Sequence, residues 1–368
     1  EGDPTGAVNE GRFFNNVPDT VEEGLARIDE IGGPTVFNHF PWGWTHAGNT
    51  PFRRWKRETY RGGSTDPFIV TWPRGIAARG ELRSHYAHLI DMVPTVLDAL
   101  DVDAPPAIAG ITQSPIEGVS FAHTFDDAAA PTKHLTQYFE MLGHRSLYHD
   151  GWRAVCPWPG TSFAESTHKF GDPISADMLS ELDATGWELY HVAEDVAETT
   201  NLAEAEPARL IAMITLWYNE AGKYNVLPID SRGVVRIADE RPQIAASRSR
   251  YVLYPGTQSI SAASAPKILN RPYSINAEVE LTDESAGVLL SMGGNDGGIT
   301  LYIKDGLLCY AHNYVAKEVF TVRSDNRVPT GRHFLSVEFA PTGKPDVKNG
   351  KGTPGTLTLF VDGTEVGR

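Results

Sequence analysis

The chain has 368 residues, 41% of them hydrophobic and 21% charged, with a formal net charge of −15. That length leaves room for two domains with sizeable cores, and the acidic balance argues against nucleic acid or an anionic membrane as partner. No apolar run approaches a membrane span, and two distant cysteines, Cys156 and Cys309, exclude a disulfide framework and lean toward a reducing compartment.

Residues 1–18 are rich in Gly, Pro and Asn and read as loop, and the polar start Glu1-Gly2-Asp3-Pro4 has no signal-peptide pattern. Asp19-Thr20 is expected to cap a helix with Val21, Leu25, Ile28 and Ile31 at helical spacing, closed by Gly32-Gly33. The irregular stretch Asn38 to His46, dense in aromatics and imidazoles, reads either as one wall of a substrate pocket or as aromatic packing under a loop. His46 and Asn49 lie shortly before Lys56, close enough to be secondary candidates for lining that pocket. A basic, aromatic segment, Phe52 to Arg61, then meets Gly62-Gly63 and an apolar run, Phe68 to Trp72, expected to be a buried strand. Adjacent glycines permit φ > 0 and close approach to a ligand, and a loop at the end of a buried strand is where α/β proteins place binding groups. Its Lys and Arg side chains suit an anionic substrate, to which both donate charge-assisted hydrogen bonds; solvated loop charge is the alternative, and for Arg53, Arg54, Arg57 and Arg61 the favoured one.

His85, His88 and Asp91 recur every third residue, which invites a metal reading. On one helix such steps turn the ligands by about 60° each and the outer pair by about 120°, so Asp91 reads better as the N-cap of a helix through Leu100 with Pro94 in its first turn. Residues 101–134 form a Pro- and Ala-rich connector. Leu135 to Met141 reads as a strand, Arg145 to Tyr148 and Trp152 to Val155 as a hairpin on Asp150-Gly151, and Trp187 to Tyr190 as another strand. The acidic run Glu194 to Glu198 reads as a solvated face. Pro207 starts a helix with the stripe Leu210, Met213, Ile214, Trp217, Tyr218 and Ala221. After a charged linker, 226–250, the period changes to two: Tyr273, Ile275, Ala277, Val279 and Leu281 share a face, as do Leu335, Val337 and Phe339, and Leu357, Leu359 and Val361. With a tight hairpin at Lys304-Asp305-Gly306, this pattern argues for a β-sandwich.

Lys56 through Pro73 resembles the type I sulfatase segment that reads Lys, short spacer, Gly-Gly, then an apolar strand ending Trp-Pro. Further motifs extend the resemblance over about residues 1–235: Ile90-Asp91 to Pro94-Thr95, Gly118 to Ser120, and Asp195 to Leu202 against Asp-Pro-x-Glu-x-x-Asn-Leu. Arg61 departs from the family's Glu and Val196 from its Pro. The resemblance implies an α/β fold, the C-terminal part of an alkaline-phosphatase-like sulfatase domain over 1–134, with a small antiparallel sheet plus helix over 135–225. Across the 226–250 linker, 251–368 resembles a laminin-G/concanavalin-like jelly roll, expected to be truncated after the turn Asp362-Gly363. The implied activity is hydrolysis of sulfate monoesters, small-molecule or glycan, with Lys56 as the catalytic and sulfate-binding residue. The implied cofactors are calcium and a formylglycine nucleophile. Their residues, an Asp-Asn pair and a Cys/Ser-x-Pro-x-Arg motif, are expected upstream of Glu1; Cys156-Pro157-Trp158-Pro159 does not match, so no metal ligand is assigned and the chain alone is expected to be inactive. Phosphonate or phosphodiester hydrolysis in the same superfamily, and non-catalytic glycan binding, are the alternatives. A bacterial cytoplasmic and a periplasmic or secreted location both stay open, as does oligomeric state.

Overall fold

The computed structural model describes residues 2–3, 6–77, 80–158, 173–232, 248–257, 259–261, 264–294 and 297–368. The chain divides into two compact units, Thr45–Arg241 and Gly2–Trp44 with Pro242–Arg368. In this division Gly2–Trp44 groups with Pro242–Arg368. Most of the 226–250 linker lies outside the described residues.

Near the N-terminus, β1 (Gly2–Asp3) pairs parallel with β2 (Phe40–Pro41), and α1 (Glu10–Phe14) starts at Asn9, whose side chain accepts from Arg12 N. In α2 (Val21–Ala26) it is Thr20 that caps, accepting from Glu23 N while the Glu23 carboxylate accepts from Thr20 N. Asp19 instead accepts from the backbone of Val8 and Asn9 and pairs with Arg12 at 2.7 Å. The helix stops at Ala26 and a 3-10 turn follows, Ile28–Glu30, so Val21, Leu25, Ile28 and Ile31 stay exposed and form no core stripe. Within the stretch expected to be irregular, Trp42–Gly48 is a helix, α3.

The short helix α4 (Arg61–Ser64) comes next. The buried strand expected at Phe68 to Trp72 is absent. No described strand pairs with it, and Ile69 is 86% exposed; without ladder partners, apolar sequence alone cannot make a buried strand. Phe68 and Trp72 instead pack edge-on against Phe121 and Phe125. Asp91 leads α5 (Met92–Ala99) as expected, although its carboxylate serves other groups. β3 (Ala107–Ile108) and β4 (Ile111–Thr112) make a small hairpin inside the connector.

The next elements match their sequence signals. β5 (Thr136–Met141), β6 (His144–His149), β7 (Trp152–Cys156) and β8 (Glu188–Tyr190) form an antiparallel sheet in chain order. Asp150 and Gly151 both take positive φ, 43° and 80°, the geometry of a two-residue hairpin turn. Between β7 and β8 lies α6 (Ala176–Thr185), capped by Ser175. Pro207 opens α7 (Pro207–Lys223), which buries Met213, Trp217 and Ala221 against Leu147, Ala154 and Leu189 of the sheet.

The C-terminal strands are β9 (Tyr273–Leu281), β10 (Gly287–Gly294), β11 (Gly297–Lys304), β12 (Leu307–Tyr314), β13 (Glu318–Arg323), β14 (Gly331–Pro341), β15 (Gly355–Val361) and β16 (Thr364–Gly367). They form two antiparallel sheets, β10-β11-β12-β13 and β16-β15-β14-β9. Leu301, Ile303 and Leu308 from one sheet meet Leu335, Val337 and Leu359 from the other in a shared core. This is the sandwich that the period-two alternation predicts. Among the described residues no helix is long and apolar enough to cross a membrane.

Candidate functional site

The Lys56 loop is built around one tight turn. Glu58 N donates to Trp55 O at 3.1 Å, which makes Lys56 and Arg57 the two central residues. Arg57 has φ 87°, a value that turns normally reserve for glycine, and Arg54 on the other side has φ 64°. Left-handed backbone at a residue with a Cβ costs about 1–3 kcal/mol and persists only where its surroundings over-determine it. Here they do. Gly62 N donates to Arg53 O at 2.9 Å, and the Asn49 amide donates to Arg54 O at 2.6 Å and to Gly62 O at 2.7 Å.

The glycines serve this closure. Neither takes positive φ; both lie in α4. A Cβ on Gly62 would stand 2.1 Å from Arg53 O, and one on Gly63 would stand 1.9 Å from Glu58 O. The close approach expected for a ligand is made by the loop's own backbone.

Below the loop lies a polar network that the sequence did not reveal. Glu198 is fully buried; it accepts from Arg61 N at 2.9 Å and faces Arg153 Nε at 3.4 Å. Burial pushes its carboxyl pKa up, and the Arg153 charge works against that rise. Arg153, on β7, donates to Thr59 O at 2.6 Å and to the hydroxyls of Ser64 and Ser146. Arg53 donates to Tyr190 Oη and Glu198 O and lies over the Tyr60 ring. Tyr60 and Tyr190 both donate to Glu188, at 2.7 and 2.6 Å. The acidic run is thus split. Glu194 is exposed, but Glu198 is an internal anchor. The arginines around Lys56 are likewise not solvated neighbours: Arg53 and Arg61 are tied to the 190–198 segment, Arg54 is buried, and Arg57 reaches Glu58.

Of the residues singled out in the sequence, Lys56 is exposed at the turn. His46 lies in the last turn of α3, exposed, with its ring edge-on to buried Trp55 at 6.5 Å. Asn49 is brought to the same loop, where both amide hydrogens are used in holding it. His85 and His88 do not converge with Asp91 on an ion. Asp91 accepts from His88 N, Val119 N and the His134 ring instead. Among the described residues no group of three His, Cys, Asp or Glu could hold a metal ion. Cys156 is buried, its thiol pushed up to about 11 by that burial, with the Arg145 guanidinium 3.1 Å away lowering it in part.

No family model matches the sequence. One solved structure similar to this chain is a sulfatase of Bacteroides thetaiotaomicron, described in connection with the metabolism of multiple glycosaminoglycans. The two are 15% identical with a TM-score of 0.34, over 54% of this chain and 41% of that one. The chain therefore spans about two fifths of that protein's length. The likeness is distant.

Proposed function

We propose that this chain is the sulfate-facing part of a sulfatase that hydrolyses sulfate monoesters, with Lys56 as the ligand of the sulfate group. One observation carries the reading. Lys56 is exposed at the tip of a strained, hydrogen-bonded turn, and Glu58 and Glu198, which anchor the segments around it, are buried. The backbone that carries the Lys56 ammonium is thus fixed in place. A positioned ammonium of this kind can offset charge that develops on the bridging oxygen as the ester bond breaks, and does so without reorganising during the reaction. The sequence resemblance adds the substrate class.

Calcium and formylglycine belong to the same proposal, but the described residues do not fit either group: they offer no metal-ligand cluster, and Cys156 is a buried, high-pKa thiol. What this chain contributes is binding and orientation of the anion. In the full-length protein, Lys56→Ala is expected to lower kcat on 4-nitrophenyl sulfate by about 10²–10³ with a smaller change in KM. Arg57→Ala should change either by only a few-fold. Equal, small effects from the two would make Lys56 an ordinary surface charge. Faster turnover of a phosphodiester or a phosphonate than of the sulfate would move the reading to that reaction class.

A further inference from the structure

We infer that Asn49 is the positioning residue of the Lys56 turn, acting on the reaction only through that lysine; the inference rests on the reading of Lys56 as the sulfate ligand. The Asn49 amide carries two donors and both are used, one on each limb of the loop. One goes to Arg54 O, two residues before Lys56, and the other to Gly62 O, six residues after it. A single planar group thus holds the two limbs together at 2.6 and 2.7 Å. Gly62 is the other half of the device. A Cβ there would stand 2.5 Å from Asn49 Nδ2 as well as 2.1 Å from Arg53 O, so the clamp closes only where this position has no side chain.

The clamp opposes a definite tendency. Arg54 and Arg57 both hold left-handed backbone, and either would relax toward negative φ if the limbs could separate. Relaxation would re-aim Lys56, which lies between them. Asn49 itself is partly exposed, and its own backbone is bonded locally, N to His46 O and O to Phe52 N. Replacing its amide should leave the fold intact while opening the turn. Asn49→Asp is the sharpest change. It keeps the shape of the side chain but removes the amide donors, so that one carboxylate oxygen, in the place of Nδ2, faces both carbonyls.

A double-mutant cycle tests the inference in the full-length protein, with 4-nitrophenyl sulfate as substrate. Lys56 and Lys56→Ala are each combined with Asn49 and Asn49→Asp, and far-UV circular dichroism verifies that all four are folded. The expected result is a fall in kcat of about tenfold or more from Asn49→Asp when Lys56 is present, little change in KM, and no further fall when Lys56 is already Ala. Gly62→Ala, which spreads the same limbs from the other side, should give the same coupling, and it replaces Asn49→Asp in the cycle should that variant fail to fold. An equal loss in both backgrounds would show that Asn49 acts elsewhere and would overturn the inference. So would an Asn49→Asp variant with parental kcat. If Lys56→Ala itself turns over at the parental rate, the sulfate-ligand reading fails, and this inference fails with it.

Discussion

Glu198 and Arg153 set the problem at the scale of single residues, because both are charged and neither reaches solvent. A buried ion pair adds little net stability relative to an apolar pair, yet removing one partner leaves the other uncompensated, which typically costs about 3–5 kcal/mol. Glu198→Gln separates the two contributions. Glutamine can still accept from Arg61 N, but Arg153 loses its opposite charge and keeps only its bonds to Thr59 O and the two serines. We expect Glu198→Gln to destabilise the Thr45–Arg241 unit by about 3 kcal/mol in urea unfolding. Combining it with Arg153→Met should restore part of the loss, since no buried charge then remains unpaired. A change under about 0.5 kcal/mol would place Glu198 among ordinary surface substitutions. The neighbouring Glu58 and His144 look like a second such pair at 3.9 Å, but chemistry says otherwise. The His144 Nδ1 lone pair accepts from Trp158 N, and burial, with the Arg57 charge beside it, pushes the imidazole pKa down to about 3. The ring is neutral near pH 7 and forms no ion pair with Glu58.

Between elements, the joint that depends on pH is His134. Its Nδ1 faces both Asp91 oxygens, at 2.8 and 2.9 Å, and its Nε2 faces Thr136 O at 3.0 Å. With acceptors on both sides, only the doubly protonated ring satisfies both. The hydrogen bond to Asp91 raises the His134 pKa, against burial. For Asp91, burial pushes upward, but the bonds from His134, Val119 and His88 leave it lowered. Tyr86 and His88 also face the ring, and burial keeps His88 itself low. The signs fix the window. Stability from His134 is fully present below its ordinary value of 6.5 and is lost as pH rises through the raised one. Stability from Asp91 is present above its ordinary 3.8 and is lost as pH falls through the lowered one. The link between the start of α5 and the start of β5 is therefore strongest between those two values. His134→Gln should flatten the alkaline fall of urea stability measured from about pH 5 to about pH 9; an unchanged slope would mean that the ring is neutral. Sequence made the flanks of this joint legible, α5 behind Asp91 and β5 before the Asp150-Gly151 hairpin, because caps and two-residue turns are local chemistry. It did not reveal the partner of Asp91. Nor did it reveal that Phe68 to Trp72 is unpaired, or that Glu198 is buried while Glu194 is exposed. Each of those depends on what distant chain lies alongside, and local pattern carries no such information. The candidate site divides the same way. Lys56 and Gly62-Gly63 could be picked out from the sequence, whereas the arginines reserved for the network beneath them could not.

At the scale of the whole molecule, the two units have separate cores that can be followed by separate signals. Six of the eight tryptophans, Trp55, Trp72, Trp152, Trp158, Trp187 and Trp217, lie in Thr45–Arg241, while Trp42 and Trp44 lie in the other unit. Apart from Tyr310, whose hydroxyl is joined to that of Tyr273 at 2.5 Å, the buried residues of the sandwich core are aliphatic. Tryptophan fluorescence therefore reports mainly on the first unit, and far-UV circular dichroism on both. Leu335 is fully buried between Ala277 and Val361 on neighbouring strands, so Leu335→Ala removes volume from a site with no slack. It should cost the sandwich about 2–5 kcal/mol. Trp217→Ala should cost the sheet-and-helix core about 3–5 kcal/mol, since that ring is likewise fully buried and also donates to Phe139 O. If the units unfold independently, Leu335→Ala moves the dichroism that belongs to the sandwich and leaves the main fluorescence transition, that of the six tryptophans in Thr45–Arg241, in place. Trp217→Ala does the converse, as read through the remaining tryptophans. A shift of both signals by either substitution would show one cooperative unit, in which case damage to the sandwich would reach the Lys56 loop. The deletion that removes everything after Glu240 from the full-length protein then has a defined expectation: with independent units, kcat on an aryl sulfate changes by less than about tenfold, or 1.4 kcal/mol in barrier.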